Sequence, residues 1–93
     1  MLEDVKLAIR VKSSAFDVEV QSLIESARLD LVQSGIDSEM AESDDPLIKR
    51  AIVFYAKANF GLDNPNAERF QESFNLLKQH LSLAGDYNGR ALE

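Results

Sequence analysis

Between Asp45 and Gly61 the chain carries apolar side chains around most of a helix circumference, and this stretch constrains the fold more than any other. Leu47, Ile48, Ala51, Ile52, Tyr55 and Ala58 recur at helical spacing as one stripe, and Val53, Phe54 and Phe60 widen it. A helix with so wide an apolar girdle has to be wrapped, by its own domain or by a neighbouring subunit. Its ends are punctuated too. Asp44-Asp45-Pro46 offers a carboxylate cap followed by proline at the first helical position, where a missing N–H costs nothing. Gly61 stands where a left-handed residue closes a helix.

Three further helices are expected around it. From Phe16 to Ser34 the apolar positions Phe16, Val20, Leu23, Ile24, Ala27 and Leu31 make one stripe of a 3.6-residue repeat. Ser13 or Ser14 can cap its start and Gly35 suits its end. Phe70, Phe74, Leu77 and Leu81 define a late helix, entered through Asn64-Pro65 and left at Gly85. Leu2, Val5, Ala8 and Ile9 give a short opening helix that must pack on the others to persist. Strand evidence is poor: Ile9-Arg10-Val11-Lys12 alternates, but reads better as the end of the first helix. The expected fold class is all-α: a compact bundle of about four helices, a short N-terminal one plus three longer ones, with the third central. Residues 1–85 form a single domain in this reading, and 86–93 form a flexible or partner-docked tail.

Composition limits what such a bundle does. The 93 residues include 10 basic and 16 acidic ones, a formal charge of −6, and 45% are hydrophobic, too many for a disordered chain. Mean hydropathy is −0.20, and no apolar run is long enough to span a membrane. The opening Met1-Leu2-Glu3-Asp4-Val5 lacks the basic start and apolar run of a secretory signal, so a cytoplasmic protein is expected. The absence of cysteine removes disulfides, thiolate metal sites and cysteine nucleophiles. A domain of this size buries only about 60–65% of its unfolded surface, so self-association is a natural source of further burial.

Catalysis finds little support. His80, the only histidine, sits on the polar flank of the last helix with no nucleophile or second histidine to work with, so no catalytic or metal role is assigned. There is no phosphate-cradling glycine loop and no cofactor motif. Asp37, Glu39, Glu42, Asp44 and Asp45 put five carboxylates into nine residues without a base. A calcium loop starting at Asp37 would need glycine at its sixth position and glutamate at its twelfth, where Glu42 and Ile48 stand. The segment is read as a solvated loop whose last acids cap the third helix, or as an acidic face used in an assembly. The basic residues are scattered apart from Lys49-Arg50, which argues against tight DNA binding. Among the aromatics, Phe16, Tyr55, Phe70 and Phe74 fall on core stripes, Phe54 is a candidate for an intersubunit contact, and Tyr87 is a candidate partner anchor.

The order of these features resembles a known family. A short opening helix ends in Ile9-Arg10-Val11, and a second carries Leu23-Ile24-Glu25-Ser26-Ala27-Arg28 before the acidic segment. Then stand Ile48-Lys49-Arg50-Ala51-Ile52-Val53-Phe54-Tyr55-Ala56-Lys57-Ala58-Asn59-Phe60-Gly61 and a late helix with Phe74-Asn75-Leu76-Leu77-Lys78. Over residues 2 to 87 the chain resembles the small head-tail connector proteins of long-tailed bacteriophages and prophages, also called adaptor, head-completion or DNA-packaging proteins. The resemblance implies a structural subunit without an active site or cofactor. Such subunits form a ring beneath the portal protein after packaging, extend the DNA channel and give a stopper or tail-completion protein its platform. DNA passes through without specific binding, and no membrane is involved. The implied location is the virion, with the host cytoplasm as the site of assembly.

Asp37, Glu39, Glu42, Phe54, Tyr87 and Arg90 are then the candidate interface or channel residues. Acidic walls repel phosphates, which suits a channel that must let DNA move. A second reading from another class is a small acidic helical regulator, antitoxin-like, that covers a basic protein partner.

Overall fold

The computed structural model describes residues 1–61 and 64–89. Their secondary structure is helical, without a strand: α1 is Leu2–Ala8, α2 Asp17–Gln33, α3 Ser38–Ala41, α4 Pro46–Asn59, α5 Ala67–Leu83 and α6 Gly85–Asn88, with a 3-10 turn at Ser14–Phe16 before α2. Four of these helices have seven residues or more, which matches the expected all-α bundle. α3 and α6 are single turns of four residues.

α4 is the central helix. It packs on α2 along one side and on α5 along the other, while α1 lies across α2 and α4. Ile48, Ala51, Ile52 and Ala56 of α4 meet Val20, Ile24, Ala27 and Leu31 of α2 and Phe74 and Leu81 of α5, all fully buried. Tyr55 stands edge-on to Phe74, with ring centroids 5.1 Å apart. That is the geometry in which a positive ring edge meets a negative face. Two ion pairs clasp the helices: the buried Lys6 of α1 with Asp17 at 2.6 Å, and Lys78 of α5 with Asp30 of α2 at 2.8 Å.

The helix ends follow local chemistry. Asp45 caps α4 with Pro46 behind it, and Gly61 takes a left-handed φ of 86° beyond its other end. α2 closes with Gly35 N–H donating to Val32 C=O and Ile36 N–H to Leu31 C=O, the paired bonds of a Schellman ending, and Ile36 is buried there. α1 ends in the same way, with Arg10 N–H on Leu7 C=O and Val11 N–H on Lys6 C=O. Here Arg10 occupies the left-handed position at φ 61°, where glycine is the usual residue. Ile9-Arg10-Val11 is therefore a helix ending, as expected, and not an edge strand.

Several expectations need correction. Phe16 is not on the buried stripe of α2: Ser13 caps the 3-10 turn, α2 begins one residue after Phe16, and the ring lies 46% exposed against the edge of Phe60 at 5.6 Å. Leu47 is exposed because it lies about 100° around the helix from Ile48, at the border of the buried face. The acidic segment is not simply a loop, since Asp37 caps α3 and Ile36 and Ala41 are buried beside it. α5 starts at Ala67, after Asn66, and ends at Leu83, so Gly85 opens α6 instead of terminating the late helix. Residues 86–88, expected in a tail, lie in that turn, which packs on α5. Leu92 and Glu93 lie outside the described residues.

Candidate functional site

The acidic segment is held at both ends, by the helix amides its aspartates cap and by Tyr87. The Asp37 carboxylate accepts from Met40 N–H at 3.3 Å, and the Asp37 N–H donates to Tyr87 C=O at 2.7 Å. Asp45 accepts from Leu47 N–H at 3.0 Å, Ile48 N–H at 3.3 Å and the Tyr87 hydroxyl at 3.0 Å. The turn of α6 thus bridges the start and finish of the segment through one residue. Burial, then the hydrogen bond to Asp45, pushes the Tyr87 hydroxyl pKa above its ordinary value. Between the two anchors Glu39 and Asp44 are exposed, and the exposed Glu42 meets Arg28 of α2 at 3.5 Å.

The six candidates from the sequence therefore fall in different settings. Asp37, Glu42 and Tyr87 are engaged within the subunit, and Glu39 projects from α3 without an ion pair among the described residues. Phe54 lies elsewhere, half-buried on the outward side of α4, and Arg90 lies outside the described residues. His80 is exposed. Among the described residues no three His, Cys, Asp or Glu side chains come together as a metal ligand set, and no helix is long and apolar enough to cross a membrane.

Two outward helix faces stand out. α4 has three positive side chains and no negative one, and Pro46, Lys49, Arg50, Val53, Phe54 and Lys57 line a shallow groove along it. Lys49 also meets Asp4 at 3.4 Å, and the Lys57 ammonium sits 5.2 Å from the centre of the Phe70 ring. On α2, Val18, Leu29 and Val32 are exposed directly opposite the buried stripe, with Ser22 and Glu25 between them. Val18 is 85% and Leu29 58% exposed. α2 is therefore apolar on two sides, while its charged residues are four acids and Arg28. The sequence reading missed this second stripe. Its signal is the regular spacing 18, 22, 25, 29, 32, alternating four and three residues, which is a helix face in its own right.

Fold and surfaces together define a small helical domain whose distinctive chemistry lies on outward helix faces. Comparison with known proteins narrows this: the family described as "Phage connector protein" matches residues 1–88, and the chain belongs to that family. It is a structural, non-enzymatic family, so this chain has a structural connector role in a phage, associates with other head or tail proteins and has its place in the virion. No curated protein and no solved structure matched the chain.

Proposed function

We propose that this protein is one subunit of a ring that docks below the portal after DNA packaging, extends the DNA channel and gives the stopper or tail-completion protein its attachment platform. The observation that carries the reading is the family match over residues 1–88. The surfaces support it: a monomer that leaves Val18, Leu29, Leu76 and Leu83 in water has apolar area to bury on neighbours. Charge supports it as well. With a net −6 the chain does not attract a polyanion, and Asp37, Glu39 and Asp44 form an exposed acidic edge suited to a channel wall. In this reading DNA passes without being held, and assembly takes place in the host cytoplasm before the ring becomes part of the virion.

Native mass spectrometry across protein concentrations, alone and with portal, backed by negative-stain images, tests the proposal. The expected result is a closed species of many identical subunits, formed by the chain itself or on the portal. A chain that stays monomeric at all concentrations and does not bind portal overturns it.

A further inference from the structure

The two outward faces carry complementary chemistry and lie back to back. α2 and α4 pack on each other through Val20, Ile24, Ala27 and Leu31 on one side and Ile48, Ala51, Ile52 and Ala56 on the other. At 100° per residue, Val18, Glu25, Leu29 and Val32 point away from that contact, and so do Arg50, Val53 and Lys57. One subunit therefore shows a partly apolar, acidic helix on one flank and a partly apolar, basic helix on the opposite flank.

The charges left over match. Asp17, Arg28 and Asp30 of α2 are consumed by ion pairs within the subunit, whereas Glu19 and Glu25 have none among the described residues. On α4 Lys49 is paired with Asp4, whereas Arg50 and Lys57 make no ion pair among the described residues. Glu25 lies on the outward face with Leu29 and Val32, whereas Glu19 lies about 120° around the helix from it; Arg50 and Lys57 share one face of α4, about 10.5 Å apart along its axis. Glu25 beside the exposed Leu29 and Val32 on α2, and Arg50 and Lys57 beside the half-buried Val53 and Phe54 on α4, suit two helices packed side by side.

We infer that the outward face of α2 in one copy docks on the outward face of α4 in the next, so that one heterologous contact, repeated, carries the subunit around the ring. The inference rests on the ring reading above and adds the interface. Back-to-back faces of unlike character cannot pair with themselves, because acid would meet acid and base would meet base. They can only join head to tail, and a head-to-tail contact closes into a ring when its rotation allows. Leu29 and Val32 supply apolar burial against Val53 and Phe54, while Glu25 and its neighbour's Arg50 set direction and register.

The chain has no cysteine, so introduced thiols report on proximity alone. Leu29→Cys and Val53→Cys are made singly and together, checked for helicity by circular dichroism, and treated with a short bismaleimide. The chain carrying both is expected to give a ladder of covalent multimers, a mixture of the two single variants to give dimers only, and each single variant alone to remain uncross-linked. Glu25→Arg and Arg50→Glu are each expected to weaken association at least about tenfold, and the two changes in one chain to restore it, since the charges are then exchanged across the same contact.

Dimers from Leu29→Cys alone would show a self-complementary face and overturn the inference. So would an intact ring in which the two thiols fail to link and Glu25→Arg has no effect, or one in which they link only to portal; in those cases the ring reading stands. A wild-type chain that neither self-associates nor binds portal overturns the ring reading and this interface with it.

Discussion

One oxygen of Asp45, Oδ2, accepts from Leu47 N–H, Ile48 N–H and the Tyr87 hydroxyl, so a single side chain starts the central helix and fastens α6 to it. Asp45→Ala removes the cap, about 1 kcal/mol, and the tyrosine's partner, about another 1 kcal/mol. A urea titration is expected to show a loss of about 2 kcal/mol, and Asp45→Asn, which keeps a capping oxygen, to show clearly less. The partner group has its own signature. Tyr87 is held above its ordinary pKa of 10.0 by burial and by Asp45, and Lys6 above 10.5 by its hydrogen bond to Asp17. In both cases the folded chain keeps a proton that the unfolded chain gives up sooner. Stability from these groups is therefore full below about pH 10 and falls as pH rises through the folded-state values. Tyr87→Phe is expected to lower stability near pH 8 by about 1 kcal/mol and to flatten the alkaline decline above about pH 10, as measured by denaturation at each pH.

At the scale of the helices, α5 sorts its apolar residues by depth. Phe74 is fully buried against Tyr55, whereas Leu76, two residues on, is 65% exposed. Phe74→Ala is expected to cost about 3–5 kcal/mol, enough to leave so small a domain largely unfolded at room temperature, while Leu76→Ala stays within about 0.5 kcal/mol. Thermal melts followed by circular dichroism separate the two. α4 was legible in the sequence because its stripe coincides with the punctuation of Asp45-Pro46 and Gly61, and α5 because Phe70, Phe74, Leu77 and Leu81 keep a helical period, although Gly85 did not mark its end. α3 and α6 were not, since four residues carry no period and persist only because Ala41 and Tyr87 pack on the larger helices. Phe16 misled for a related reason. It keeps the register of the α2 stripe, yet the Ser13 cap starts a tighter turn that swings the ring off that stripe. In the candidate site, the acids of 37–45 and Phe54 were visible as types, but the tie from Tyr87 to Asp45 spans 42 residues and no local pattern encodes it.

At the scale of the whole molecule the charges of three elements differ, with three cations and no acid on α4 and exposed carboxylates on α2 and on the segment from Asp37 to Asp44. If α2 and α4 meet in a ring, their charges largely cancel at each contact and the acidic segment is left to determine what the assembled surface shows to DNA. Glu39 tests this most directly, because it is exposed and unpaired among the described residues, whereas Glu42 is tied to Arg28. Glu39→Lys leaves the fold within about 0.5 kcal/mol of wild type. Repeated around a ring, however, it places one cation per subunit beside the duplex, and each phosphate neutralised steepens the salt dependence of binding by about 0.9 in log–log slope. Assembled Glu39→Lys protein is expected to retain linear duplex DNA at low salt and release it at high salt, while the wild-type assembly retains none at either, as read by co-sedimentation. In the phage, the same substitution is expected to lower infectivity without lowering particle yield, since a channel that holds DNA still packages a genome but delivers it poorly. Unchanged DNA retention and unchanged infectivity, with Glu42→Lys behaving alike, would remove the acidic segment from the channel wall and leave it to the outer surface of the connector.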